Sequence, residues 1–548
     1  MILGDHMKKK RKISSHGMIK SIIITLVFAG ISYYVTHPAL DIHNFGFYAY
    51  LVPVLVVFLV CQSIYTAAFV LENMQSIRVN NPKMAKLWVI VPAYILFMLL
   101  LMLMNSPMFN AKKYYERITI DTSKTFQEEI EEVDFNKLPL LDKKSSEKLG
   151  DRVMGGMSEL VSQYDVSDEY TQINYNDEII RVTPLEYNGA IKWLTNRKKG
   201  ITGYITVNST TGKAKLVKLE KGMKYAPSAL LQENLYRKLQ FQYPTKNFDA
   251  INFEIDNEGN PYWIASVIKY HGIGQRREVT GVVIFDPITG KSKYYQLKDV
   301  PTWVDHVYEA DLILEQVNDW GAYKNGYLNS IFTQRDVVAT TTGYNYLAFK
   351  DDVYLYTGIT SVLADESNIG FILTNMRTKE TKFYSVPGAE EYSAMDSAEG
   401  QVQQMSYTST FPLLINLNGN PTYLISLKDN AGLVKMYAFV DVVDYQKVVV
   451  TDASKGIQVA AENYLNEVGE ETTITSQNQK TITIQSIKEG IIEGNTYYYL
   501  VDENNQKYKV SIKENKNLLP FLQVGDQVSI EYSKESEVIN ITNIERSH

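Results

Sequence analysis

Three long uncharged runs open the chain, and short alternating runs fill the rest. Met18–Val35 carries a single Lys near its start, and Phe45–Leu71 is interrupted only by Pro53 and Gln62. Leu87–Met104, "LWVIVPAYILFMLLLMLM", is 18 residues without a charge. A helix crosses the hydrocarbon layer with about 20 apolar residues. The expectation is therefore three N-terminal transmembrane helices over residues 18–104. A cleaved signal peptide is the competing reading of the first run. That run lacks a small-x-small cleavage site, and two more apolar runs follow it.

Basic residues in short loops set the expected orientation. Lys8, Lys9, Lys10, Arg11 and Lys12 precede the first run. The loop "THPALDIHN" has no Lys or Arg, whereas Arg78, Lys83 and Lys86 precede the third run. Residues 1–17 are thus expected in the cytoplasm and everything after Met104 outside a plasma membrane, with the lipid bilayer as one partner. "MILGDHM" reads as the remnant of an added tag. Cys61, the only cysteine, falls in the second run, so the exported part has no disulfide and no cysteine metal site.

After a leading region over 105–180, with a helix expected at Ser145–Gln163, the polar and apolar positions repeat. "ITGYITVNSTTGKAKLVKL" (201–219) and "VTGVVIFDPITGKSKYYQL" (279–297) align residue for residue. Gly203 and Gly281 begin the alternating strands, and Gly212 and Gly290 sit in the turns. "IGFILTNMRTKETKFYSV" (369–386) is a third copy, with Gly370 and with Lys379 at the turn position. A fourth, more degenerate copy is "VKMYAFVDVVDYQKVVV" (434–450). Upstream, "NEGNPYWIASVIKY" and "NLNGNPTYLISLKD" share a Gly-Asn-Pro turn, and "KDDVYLYTGITSV" holds the equivalent place in the third copy. Helices are expected at Ser228–Phe241 (Ser228 as N-cap), Asp305–Trp320, Ala389–Met405 and Ser454–Leu465. The fold class is α+β: repeated units of one helix and three or four antiparallel strands, with the helix covering a sheet face.

This element order, with its Gly-led strand–turn–strand, resembles tandem PepSY and cystatin-like modules over residues 181–466. The resemblance implies a bacterial multi-span membrane protein whose modules regulate or inhibit an exported protease or cell-wall hydrolase. Residues 470–548 read as short strands divided by polar turns and resemble an OB-fold or SH3-like small β-barrel. This barrel carries more carboxylates than cations and is expected outside the cell, which argues against nucleic acid.

Composition changes little. The chain has 548 residues, 45% hydrophobic and 21% charged, with formal net charge −7. That length calls for several domains, and the charge gives no reason to expect nucleic acid. Tyrosine is abundant, 39 residues against 20 Phe.

Searches for chemistry exclude more than they find. ITGKS fails as a phosphate loop because Phe285 occupies the first glycine position and a strand follows Ser292. His271 and His306 are outside metal-binding spacing and read as structural or solvated. Ser158 lacks the second glycine of a nucleophile elbow, and "DNEGNPYW" lacks calcium-loop spacing. Glu390, Glu391, Asp396 and Glu399 read as a solvated helix face. No cofactor and no metal is expected. Trp263, Trp303, Tyr354 and Tyr356 lie in or beside corresponding strands, and their flat rings suit sugars, peptides or partner proteins. The competing role for them is core filling. The function expected is a non-catalytic binding or assembly scaffold at the cell envelope, a homo-oligomer or a partner of other envelope proteins. The alternatives are the regulator implied by the resemblance and a cell-envelope enzyme using paired carboxylates.

Overall fold

The computed structural model describes residues 3–72, 88–349, 352–362, 364–468, 478–492, 495–512, 514–532 and 538–546. The basic loop with Arg78, Lys83 and Lys86 lies outside the described residues. The chain divides into two compact parts, 1–468 and 469–548.

The first part opens with helices α1 (Leu3–Thr36), α2 (Phe45–Glu72), α3 (Ile90–Asn105) and α4 (Pro107–Tyr115). Two of them, over Gly17–Thr36 and Phe45–Tyr65, are long and apolar enough to cross a membrane. The third expected helix is corrected. α3 has 16 residues, about 24 Å at 1.5 Å per residue, short of a hydrocarbon layer about 30 Å thick. It breaks before Pro107 and bends by 45° into α4.

After the two-residue strand β1 (Ile120–Asp121) come four modules, each a helix followed by an antiparallel meander, the first opening with helix α5 (Lys143–Gly155). Module 1 joins α5 to β2 (Tyr164–Val166), β3 (Thr171–Tyr175), β4 (Glu178–Tyr187), β5 (Ile201–Asn208) and β6 (Ala214–Met223), with α6 (Gly189–Asn196) inserted after β4. Module 2 is α7 (Leu235–Gln242) with β7 (Asn247–Ile255), β8 (Pro261–Tyr270), β9 (Arg277–Phe285) and β10 (Ser292–Gln296). Module 3 is α8 (Ala310–Tyr323) with β11 (Val338–Thr340), β12 (Asn345–Phe349), β13 (Asp352–Ser361), β14 (Ala364–Asn375) and β15 (Thr381–Tyr384), flanked by β16 (Gly388–Ala389). Module 4 is α9 (Glu391–Gly400) with β17 (Thr408–Ser409), β18 (Leu413–Leu417), β19 (Asn420–Lys428), β20 (Val434–Asp441) and β21 (Val448–Asp452), and α10 (Ile457–Val468) follows. The sheets curl into half-barrels.

Several boundaries differ from expectation, and each of the four later helices starts two to seven residues further along the chain. Module 1 begins ahead of residue 181, because β2 and β3 both pair with β4. The α5 helix stops at Gly155, where two successive glycines weaken it. Ser228 does not cap α7; Asn234 does, accepting the Arg237 N–H.

Consecutive modules share cores. On β8, Trp263, Ala265 and Val267 face the core between modules 1 and 2, where α7 contributes Leu235 and Leu239. Their neighbours Ile264 and Ile268 face the next core, with Leu312, Ile313 and Val317 of α8 and Leu355 of β13. Tyr356, adjacent to Leu355, faces a third core with Ala394 and Ala398 of α9 and Tyr423 of β19. The sheets of modules 2 and 3 therefore bury both faces, and each large side chain so buried contributes about 1.5–3 kcal/mol.

The repeat has a structural cause at two positions. Asn208, Asn375 and Asp441 each end a strand and Asp286 directly follows one, and all four accept two backbone N–H groups, two and three residues ahead. Gly212 and Gly290 then take positive φ, +72° and +73°, and Lys379 takes +67° in the third copy. The turn in ITGK is thus an Asp-initiated reversal. At Gly203, Gly281 and Gly370 an added Cβ would lie 2.6, 2.1 and 2.2 Å from a carbonyl oxygen of the next strand. Leu216, Tyr294 and Phe383 cover these three glycines from the same diagonal position.

Residues 37–44 are fastened to module 2. Leu40 N–H donates to Pro244 O at 2.7 Å and Gly274 N–H to His43 O at 2.8 Å. The Gln275 side chain donates to Met102 O at 3.1 Å, at the end of α3. A strap over residues 126–142 then crosses module 4 to reach module 1. Its Leu140 O accepts from Ser426 Oγ, and its Leu141 N–H donates to Ser209 O.

The second part is a closed barrel of β22 (Asn478–Ile492), β23 (Asn495–Asp502), β24 (Lys507–Ser511), β25 (Gln527–Tyr532) and β26 (Val538–Arg546). The strands close in the order β22-β23-β24-β26-β25, and β24 runs parallel to β26. Leu500, Tyr508, Val528, Ile530 and Ile544 fill it.

Candidate functional site

A cleft of ≈ 310 Å³ opens where modules 1, 3 and 4 meet the strap. Its apolar wall comes from Ile179 of β4, Leu347 of β12, Tyr354 of β13, Leu373 of β14, Leu414 of β18 and Ile130 of the strap. Exposed Glu131, Asp134 and Asp177 stand around it, with Lys137 the one cation among the lining residues. The strap is held by Val133 N–H to Asn416 O at 3.0 Å and by Asn416 Nδ2 to Ile130 O at 2.6 Å. Glu132 accepts from Asn418 N–H at 2.7 Å. The other amide atom of Asn416, Oδ1, is buried in the lining without a hydrogen-bond partner.

Strand alternation explains the wall on the module 1 side. Ile180 and Val182 of β4 point into the core shared with module 2, so Ile179 and Arg181 share the opposite face. On β3 they are matched by Asn174 and Gln172.

Behind this wall is a buried polar group. His306 Nε2 donates to Gln172 O at 2.7 Å, which fixes the proton on that nitrogen, and the ring meets Tyr346 edge-on at 5.4 Å. Glu254 accepts the N–H groups of Asp305 and His306 at 2.9 and 3.0 Å. Asp305 accepts the Asn174 N–H at 2.7 Å. Burial, helped by the charge of Arg181, pushes His306 down to about 4. Burial pushes the Glu254 carboxyl up despite its two donors, with Glu309 adding repulsion. Arg181 is buried with its Nε unpartnered, and burial lowers its pKa against the pull of Asp142 and Tyr346.

No protein-family model matches this chain, and no curated protein matches it in sequence.

Of the four aromatic residues singled out in the sequence, Tyr354 alone lines the cleft. Trp263 is fully enclosed and donates to Tyr225 O at 3.2 Å. Tyr356 is equally enclosed and donates to Glu391 at 3.2 Å. Trp303 is half-buried against Tyr262, ring centroids 5.2 Å apart. The four do not form one site. His306 is interior, while His271 is half-buried and bonded to Glu278 at 2.6 Å. Glu391 departs from the solvated face expected of α9: it is buried and also accepts from Asn368 at 3.2 Å. Asp396 on the same helix is exposed.

Among the described residues no cluster of three metal-binding side chains occurs. Ile179, Leu347 and Asn416 escaped notice in the sequence because strand alternation alone does not say which face meets another module. Arg181 did leave a signal, a cation in the middle of the otherwise apolar "IIRVTPL".

Proposed function

We propose that the chain is a membrane-anchored, extracytoplasmic binding scaffold whose cleft grips an apolar, positively charged segment of a second copy or of another envelope protein. The observation that carries this reading is the cleft itself, an apolar wall ringed by exposed carboxylates. Apolar pockets with a few convergent polar groups are the usual binding sites of proteins, and buried Asn416 Oδ1 supplies an unused acceptor.

The orientation is supported by two facts. Lys8 to Lys12 stand ahead of the apolar segment Gly17–Thr36 of α1 and favour the cytoplasmic side, and residues 37–44 beyond that segment are bonded to module 2, so this loop and the module share the opposite side. A chain that leaves residue 44 on that side and returns to it by residue 107 crosses an even number of times. This parity supports α3 as the return crossing, with α4 beyond the 45° bend on the same side as module 3. The PepSY or cystatin-like reading is supported by four successive helix-plus-meander modules, and the OB-like reading of the barrel by its five closed strands.

The test is photo-crosslinking in native membranes, with a benzophenone side chain at Leu347 or Asp177 and a control at Glu258. A discrete adduct at the first two positions, lost with Glu131→Lys, is expected. An adduct of twice the chain's mass identifies a second copy. Labelling no greater than at Glu258 sinks the reading.

A further inference from the structure

We infer that the β-rich part rests on the bilayer surface through two apolar projections, one beside α1 and one beside α4. This rests on the proposed reading that α1 to α3 are membrane helices.

The first projection is α6. It buries Trp193, whose Nε1 donates to Glu233 at 2.9 Å, and Arg197 pairs with the same carboxylate at 2.9 Å. The opposite face leaves Ile191 76% and Leu194 61% exposed. Gln232, next to Glu233, reaches Tyr34 Oη at 3.4 Å. Arg237 donates to Tyr34 O at 2.9 Å and sits 4.5 Å from its ring centroid. Tyr34 belongs to the last turn of the apolar segment Gly17–Thr36. The helix α6 is thus linked through Glu233 and its neighbour Gln232 to the end of a membrane helix. Lys198 and Lys199, both exposed, follow it directly. Apolar side chains beside cations are the make-up of a surface that enters the headgroup layer of an anionic membrane.

The second projection follows from the antiparallel pairing of α8 with α4. Arg117, just past α4, bonds to Glu315 at 2.7 Å and pairs also with Asp319. Tyr114 meets Tyr323 at 6.0 Å. Moving back along α4 towards α3 therefore means moving forward past Tyr323. The chain leaves α8 there and returns at Val338, whose carbonyl lies against Gly321. Residues 324–337 thus project beyond the helix on the α3 side. Their tip carries Leu328, 68% exposed, and Phe332, 78% exposed, around a single π-helical turn. Two apolar tips, one linked to the end of α1 and one beside α4 where it leaves α3, and each exposed in the folded chain, match one flat apolar partner, the acyl boundary of a bilayer.

The experiment uses the full chain with Cys61→Ser, reconstituted in phosphatidylcholine vesicles with and without phosphatidylglycerol. A polarity-sensitive dye is placed at Ile191→Cys, Phe332→Cys or Glu258→Cys. Glu258 is on the β7–β8 turn, at the other end of that sheet from Asn247 and Ile268. Lipids carrying a shallow nitroxide should quench the dyes at 191 and 332 by about half or more and leave 258 unchanged. Phosphatidylglycerol should deepen the quenching at 191. Dyes at 191 and 332 that respond only to aqueous iodide, as at 258, overturn the inference. So does protection from both quenchers, which indicates a protein partner. A dye on native Cys61 separates the causes: quenched by the nitroxide lipid, it keeps the membrane helices while the projections fail. Unquenched, it removes the anchoring reading as well.

Discussion

Asn247 donates its side-chain amide to Asp41 across 2.6 Å, and Asn44 donates to Asn247 in turn, also at 2.6 Å. This exchange joins the first strand of module 2 to the loop between α1 and α2. Asp41→Ala leaves the buried Asn247 amide short of an acceptor, at a cost of about 1–3 kcal/mol. The expected result is faster hydrogen exchange in residues 37–44 and 243–248 with no change in the barrel. Unchanged exchange at both segments would show that the loop is held by its backbone bonds alone.

Glycine substitutions should separate by site. Gly281→Ala and Gly370→Ala place a methyl within 2.2 Å of a backbone carbonyl, so the neighbouring strand must shift. Each should lower stability by about 1–3 kcal/mol, read as a lower denaturation midpoint. Gly155→Ala, with open space around its Cβ at the end of α5, should be neutral or stabilising by about 0.5–1 kcal/mol.

The Asp-initiated turns give a graded test. Asp286→Ala removes the acceptor of the Ile288 and Thr289 N–H groups and should cost about 0.5–2 kcal/mol. Asp286→Asn, the residue used at the same place in modules 1 and 3, should restore most of it. Equal losses in the two variants would mean that the turn is set by Gly290 rather than by the side chain.

Stability should fall away on both sides of a maximum in pH. His306 has a folded value of about 4, below its ordinary 6.5. Its contribution is therefore complete above 6.5 and is lost as pH falls from there towards 4, up to about 3 kcal/mol. Glu254 has a raised folded value. Its contribution is complete below the ordinary carboxylate value and is lost as pH rises through the raised one. In urea titrations across pH, His306→Gln should flatten the acid limb and Glu254→Gln the alkaline one. An unchanged acid limb in His306→Gln would place the titrating group elsewhere.

The sequence announced the modules well because their signals are local. Gly203, Gly281 and Gly370 recur where the next strand comes too close for a side chain, and Gly212 and Gly290 where φ is positive. Helix limits were harder. Ser228 looked like a cap, but Ala226 O accepts the Leu235 N–H, and a single 3-10 turn delays α7 to Leu235. The fate of Trp263 and Tyr356 depended on what covers the second face of each sheet. That cover comes from a neighbouring module, the preceding one for Trp263 and the following one for Tyr356, and nothing local records it. The cleft wall was hidden for the same reason: Ile179 is an ordinary strand residue until β12 arrives opposite.

Arrays of repeats ordinarily fray from their ends, since a terminal repeat has a neighbour on one side alone. Here Lys428 of module 4 pairs with Asp142, which caps α5 of module 1, and Lys148 of α5 reaches Asn430 O at 3.4 Å. The first and last repeats brace each other, so the series has no free terminus from which to unzip. Opening any one repeat must strain the whole circuit.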